Sequence, residues 1–161
     1  MSEIVAFSAA LSQSGQSSVD PAEKSIPRQG ADQIVILVVE DNIGNFKLIA
    51  RLLSSLGFQC EWKTSGYEVV EFANSLSHID LVLMDIRLPY EDGFEAMRKI
   101  RSSHRFDGIP IVAVTAVAGP EHMKSAQMAG FDGFIGKPLD PDRFPDQIRR
   151  ILAGKSVWEY N

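Results

Sequence analysis

From Ile34 onward the chain alternates between two hydrophobic rhythms. Unbroken apolar runs of strand length appear at IVILVV (34–39), LVLM (81–84) and IVAV (111–114). Runs without polar interruption suit strands covered on both faces. Between them the apolar period lengthens to that of a helix. Leu48, Leu52 and Leu56 recur at i, i+4 and i+8 with Ile49 and Leu53 beside them, and Gly57 follows as a stop. FQCEWK (58–63) reads as a strand, SGYEVVEFANSL (65–76) as a helix, and FEAMRKIRSS (94–103) as a helix after Gly93. PEHMKSAQMAG is a helix opened by Pro120 and closed by Gly130. GFIG (133–136) is a short fifth strand, and a last helix runs from about Asp140 to Ala153. Pro145 would remove a backbone hydrogen bond inside that last helix, so a turn is expected first, with Asp142 capping a helix that begins at Arg143.

Five strands alternating with five helices predict an α/β protein: a doubly wound, five-stranded parallel sheet with helices on both faces. The expected strand order is 2-1-3-4-5, flavodoxin-like, and such sheets bind ligands beyond the carboxyl ends of their strands. The folded domain is expected over residues 33–154. Residues 1–32 differ: SQSGQSSVDPAEKSIPRQGADQ (12–33) is rich in Ser, Gln, Gly and Pro and lacks an apolar period, which predicts a disordered tail. A short docking helix over Ile4–Leu11 is the alternative there. Residues 155–161 form a short tail at the other end.

A core strand that ends on Asp85 raises a question of chemistry. The first strand ends in Glu40-Asp41, the third in Asp85, the fourth in Thr115, and Lys137 follows the fifth. In a parallel sheet these ends share one edge. Four separate stretches therefore bring three carboxylates, a hydroxyl and an ammonium together. A single Asp at a strand end is usually a turn or capping residue, but capping does not require all these residue types at once. Clustered carboxylates repel and call for a cation. An all-oxygen set without His or Cys selects a hard ion, and few protein ligands with room for water suit Mg²⁺ better than Ca²⁺. A free carboxylate beside such an ion, a Lys and a Thr is the apparatus of phosphoryl transfer to an aspartate.

The motifs VVEDN (38–42), LMDIRLPYEDG (83–93), AVTA (113–116) and GFIGKP (133–138) stand in order. From Asp41 to Asp85 is 44 positions, from Asp85 to Thr115 is 30, and from Thr115 to Lys137 is 22. In these motifs the chain resembles the receiver domain of two-component response regulators, of the single-domain phosphorelay type. The resemblance implies that Asp85 accepts the phosphoryl group. It implies Mg²⁺ held by Asp41, Asp85 and the backbone carbonyl of Arg87, with Glu40 acting through water. Lys137 would hold a phosphoryl oxygen, and Pro138 would follow a cis bond. Thr115 would draw its loop inward, and Phe134 would be the aromatic switch. Arg87 and Val117 offer an attacking water no general base, which implies slow self-dephosphorylation.

The resemblance also implies a histidine kinase or histidine phosphotransfer protein as donor, and a downstream protein as target. Ile43 and Phe46, beside the acidic pair, are candidate docking residues for the donor. Met128 and Pro138 are candidates for other partners, and Met123, Ala126, Gln127 and Gly130 share one face of the penultimate helix. After Ala153 only GKSVWEYN remains, so a chain taken as complete would signal by docking, as a monomer or weak dimer. Trp158 and Tyr160 fit either packing on the domain or a partner.

Composition narrows the field further. The net charge of −5 disfavours nucleic acid. No stretch approaches the roughly 20 apolar residues of a membrane span. The single cysteine, Cys60, reads as a buried inert thiol and leaves no disulfide framework, so a cytoplasmic setting is expected. Three alternatives remain: a receiver from a hybrid histidine kinase, a degenerate receiver serving as a scaffold, and an Asp-nucleophile phosphatase resembling haloacid dehalogenases. The last needs a second Asp two residues after the nucleophile, where this chain has Arg87.

Overall fold

A computed structural model describes residues 33–160. The expected disordered tail over 1–32, with its alternative helix at Ile4–Leu11, lies outside the described residues. The elements in order are β1 (Val35–Val39), α1 (Ile43–Ser55), β2 (Gln59–Lys63), α2 (Val69–Ser75), β3 (Leu81–Met84), α3 (Gly93–Arg101), β4 (Ile111–Thr115), α4 (Pro120–Ala129), β5 (Gly133–Gly136), α5 (Phe144–Leu152) and β6 (Trp158–Glu159). All strands pair in parallel in the order β2-β1-β3-β4-β5-β6. The predicted five-strand order holds. A sixth, two-residue strand joins its outer edge, from a segment expected to be a tail.

Alternation along β1 shows why the apolar runs are unbroken. Leu37 and Val39 face one layer with Val69, Ala73, Met97, Ile100 and Ala126, drawn from α2, α3 and α4. Ile36 and Val38 face the other, with Phe46, Ile49 and Leu53 of α1 and Ile148 and Ile151 of α5. β1, β3, β4 and β5 are each buried along their whole length and can spare no polar position. β2, at the other edge of the sheet, is only half-buried, and its sequence alternates accordingly.

Four local expectations are corrected. The centre of the α1 stripe is Phe46, Ile49 and Leu53, with Leu48, Leu52 and Leu56 half-buried on its flank. Phe46 is 7% exposed and stacks on Trp62 with ring centroids 4.2 Å apart, so its assignment to a docking surface fails: it belongs to the core. α2 begins at Val69, because Tyr67 and Glu68 form its entry turn and Glu68 has φ 53°. α5 begins at Phe144 with Arg143 as its cap residue, one position later than expected. Asp140 organises the turn before it: the Phe144 amide donates to the Asp140 carbonyl and the Asp142 amide to the Asp140 side chain. Asp142 therefore caps nothing, and Pro145 falls in the first turn, where the missing N–H has no helical partner.

Helix α4 keeps its predicted limits, with Gly130 in the left-handed conformation as its cap. Its Ala126 is fully buried and Met123 packs on the core, so the face predicted from Met123, Ala126, Gln127 and Gly130 turns inward except at Gln127 and Gly130, which are exposed. Met128 is 80% exposed, on the opposite side.

Candidate functional site

The carboxyl ends of β1, β3, β4 and β5 meet on one rim, and the polar residue just past each apolar run is carried there by the sheet. Glu40, Asp85 and Thr115 are buried polar residues, at 2%, 8% and 0% exposure. The Lys137 ammonium donates to Glu40 Oε2 at 2.5 Å and to Asp85 Oδ2 at 2.9 Å. Oxygen atoms of Glu40, Asp41 and Asp85 lie within 4.8 Å of one another, and Asp41 is exposed at the mouth. The two carboxylates that touch Lys137 are thus dry, and the third faces water.

Neighbouring backbone fixes each group. Asp85 Oδ1 accepts from the Arg87 amide at 3.0 Å, while the Asp85 amide donates to the Val39 carbonyl at 3.0 Å. Glu40 Oε1 accepts from the Asn42 amide at 3.0 Å, and the Asn42 side chain then caps α1 through the Asn45 amide at 2.9 Å. The Lys137 amide donates to the Thr115 carbonyl at 2.8 Å, and Thr115 Oγ1 accepts from the Val117 amide at 3.3 Å. The Lys137–Pro138 peptide is cis, and Pro138 is exposed.

Burial by itself would lower the Lys137 pKa, but hydrogen bonds to Glu40 and Asp85 outweigh it and hold it above the ordinary lysine value. The site is therefore permanently cationic at its centre. Three carboxylates against one ammonium still leave it formally two negative charges in excess. An all-oxygen donor set with that excess fits a hard divalent cation.

Two contributions escaped sequence reasoning. Trp62 donates its indole N–H to the Glu40 carbonyl at 2.6 Å and stacks on Phe46, so β2 supports the acidic pair from behind. Nothing in FQCEWK marks that role. Gly93 opens α3, and a Cβ there would strike the Asp85 carbonyl and come within 2.7 Å of the Ile86 Cα. Only glycine lets α3 dock against the backbone of Asp85. Gly93 stood inside a quoted motif, but its purpose needs three dimensions.

The remaining predicted residues separate. Phe134 is fully buried in β5, and Arg87 is exposed beside Asp85. Ile43 is 56% exposed at the start of α1, near the mouth. Met128 lies on α4, away from these strand ends. Cys60 is half-buried, and burial followed by the Glu61 charge pushes its thiol up to about 12, a value that leaves it protonated and unreactive at neutral pH.

Comparison with known proteins agrees with this geometry. A sequence model described as the response regulator receiver domain matches residues 36–149, and the chain belongs to that family. The polar-differentiation response regulator DivK of Brucella ovis is 33% identical over 118 residues, covering 73% of this chain and 95% of that protein. The CAI-1 autoinducer sensor kinase/phosphatase CqsS of Vibrio cholerae is 41% identical over 108 residues, covering 66% of this chain and 16% of that much longer protein. Among solved structures, the receiver domain of sensor histidine kinase PA1611 from Pseudomonas aeruginosa has a TM-score of 0.65 at 34% identity, covering 76% of this chain and 96% of that one. It carries a magnesium ion coordinated in its active-site cleft. The chemotaxis response regulator CheY4 of Vibrio cholerae shares the fold at TM-score 0.68 and 24% identity, covering 74% and 98% of the two chains. No helix among the described residues is long and apolar enough to cross a membrane.

Proposed function

We propose that this chain is a phosphoacceptor: a single-domain response regulator that takes a phosphoryl group on Asp85 from a histidine kinase or histidine phosphotransfer protein and passes the signal by docking a downstream protein. One observation carries the reading. Asp85 ends a core strand in a dry site, 2.9 Å from Lys137 and within 4.8 Å of two further carboxylates. A carboxylate kept there for stability alone would be costly, because buried ion pairs rarely outweigh their desolvation.

In this reading Asp85 attacks the phosphorus of a phosphohistidine. An oxygen–phosphorus bond forms, the nitrogen–phosphorus bond breaks, and the imidazole keeps the electron pair and takes up a proton from solvent. Lys137 leaves its ion pair to hold an oxygen of the transferred group, and the Thr115 hydroxyl turns from the Val117 amide toward another. Asp41, Asp85 and the Arg87 carbonyl would hold Mg²⁺, with Glu40 acting through water, and the ion supplies charge neutralisation to the transferring oxygens. The movement of Thr115 and Phe134 then changes the surface around β5. Ile43, exposed beside Asp41, is the donor-docking residue retained from the sequence, and Met128 and Pro138 serve other partners. The receiver unit is residues 33–154, to which the following tail adds β6. The setting is cytoplasmic, and the chain works as a monomer or weak dimer.

The test is incubation with acetyl phosphate and Mg²⁺, followed by intact mass. The wild type should gain one phosphoryl group and Asp85→Asn none. A gain by the variant, or none by the wild type, refutes the assignment. After donor removal the increment should persist for minutes or longer, since Arg87 and Val117 supply no base to water; loss within seconds would remove that part of the reading.

A further inference from the structure

The chemistry above uses the strand ends and leaves the outer edge of β5 unexplained. That edge is covered by the chain's own C-terminal segment. Val157 is 1% exposed and its carbonyl accepts from the Phe134 amide at 2.8 Å. Trp158 and Glu159 stand in register with Phe134 and Ile135. Glu159 accepts from Gln147 at 2.6 Å and from Arg150 at 2.8 Å, with Arg143 at 3.2 Å, all on α5 or its cap.

β5 is shaped to receive this segment. A Cβ on Gly133 would lie 2.8 Å from the Val157 carbonyl oxygen, and one on Gly136 would lie 2.8 Å from the Tyr160 Cβ. The Gly136 contact bears on the site. The same Cβ would stand 3.2 Å from the Ala118 Cβ. Ala118 belongs to the loop that follows Thr115, and Gly136 is the residue before Lys137. Tyr160 therefore packs at the meeting point of the two segments that carry Thr115 and Lys137.

We propose that residues Val157–Tyr160 are the output element of this domain, released from the β5 edge when the phosphoryl group on Asp85 draws the Thr115 loop inward. The inference rests on the phosphoacceptor reading above. Its physical basis is unequal anchorage. Gly136 has no room for even a Cβ between Tyr160 and Ala118. Of the groups meeting there Tyr160, 39% exposed, is the one that can swing into solvent while its packed neighbours cannot compress. Strain there is relieved by the element held least. β6 has two residues and one neighbouring strand. The ion pairs of Glu159 join side chains 26% to 51% exposed, and exposed pairs hold weakly. β4 and β5, by contrast, are fully buried.

Amide hydrogen exchange on the full chain, with and without acetyl phosphate and Mg²⁺ and with intact mass read on the same sample, tests this. Phosphorylated protein should exchange the amides of Phe134 and Glu159, which lie in the β5–β6 pairing, at least tenfold faster, with β1 and β3 unchanged. Phosphoryl uptake with unchanged or slower exchange at these amides overturns the inference and leaves the phosphoacceptor reading standing. No uptake overturns both. Tyr160→Ala should still take up phosphate, exchange rapidly before the donor is added, and respond less than twofold; Tyr160→Phe should respond like the wild type. A tenfold response in Tyr160→Ala would also overturn the proposal, because the contact at Gly136 would then transmit nothing.

Discussion

Two clusters of charge flank β5, and they are built in opposite ways. At its carboxyl end Lys137 sits between Glu40 and Asp85, with side chains 10%, 2% and 10% exposed. Along its outer edge Glu159 meets Gln147, Arg143 and Arg150 in partial contact with solvent. The inner cluster holds more carboxylate than cation; in the outer one Glu159 and Asp146 meet the guanidiniums of Arg143 and Arg150, charge for charge. Water can replace a lost partner in the outer cluster but hardly in the inner one. Burial, more than the count of ion pairs, separates groups kept for chemistry from groups that fasten a strand.

The sharpest way to break this comparison is Lys137→Met. It leaves two buried carboxylates without their cation, and removing one partner of a buried pair costs about 3–5 kcal/mol. Urea unfolding at neutral pH without divalent ions should show a loss of that size. Millimolar Mg²⁺ should restore part of it, and more than it adds to the wild type, because a ligand of the native state stabilises it by mass action. A loss under about 1 kcal/mol would make the inner cluster as solvated as the outer.

A smaller effect is expected from Gly93→Ala. The added Cβ meets the backbone of Asp85 and Ile86, and overpacking of this kind costs about 1–3 kcal/mol. Phosphoryl uptake should fall with it, since Asp85 is what gives way. Gly57→Ala is the control: its φ is 79° but nothing lies within 4 Å of the new Cβ. It should cost about 1 kcal/mol of backbone strain and leave uptake unchanged. Equal uptake in the two variants would show that the close approach of α3 does not position the site.

Much of the inner cluster was legible in the sequence because its physics is linear. An apolar run that stops on a carboxylate marks a strand reaching water, and parallel topology gathers such ends on one rim. Glu40, Asp41 and Asp85 follow from that rule, and Thr115 and Lys137 from its extension to any polar residue at the end of a core strand. The outer cluster was not legible. Glu159 and Tyr160 occupy a short polar stretch with no period, and their partners become visible only when α5 and β5 are laid side by side. Phe46 misled for a related reason. On the helix wheel it lies off the stripe of Leu48, Leu52 and Leu56, yet it shares a face with Ile49 and Leu53 at i+3 and i+7, and that face, with Ile36, Val38 and the Trp62 ring, is the core. Asp142 looked like a cap because it precedes the helix, whereas Asp140 makes the turn that sets the helix start. Patterns of period and length carry information along the chain; contacts between edges do not.

The mildest test concerns Glu159 itself. Hydrogen bonds from Gln147 and then Arg150 hold its carboxyl below the ordinary glutamate value, against the opposing pull of partial burial. A depressed folded value means that its stabilisation is present above the unfolded value of about 4.5 and fades as pH falls through the folded one. The buried side of the molecule has the opposite sign. Lys137 is raised, so its contribution is complete below the unfolded lysine value and is lost only in strong alkali. Cys60, raised to about 12, likewise costs stability only where an unfolded thiol would ionise, above the ordinary value of 9.0. Mild acid should therefore loosen β6 through Glu159, while the contributions of Lys137 and Cys60 stay in place. The indole N–H signal of Trp158, followed by NMR from about pH 6 to 3.5, should shift in the wild type and stay flat in Glu159→Gln, a neutral variant. Overall stability should differ between the two by less than about 1 kcal/mol at neutral pH. If Trp158 titrates identically in both proteins, some other group fastens the strand, and the outer cluster loses the role assigned to it here.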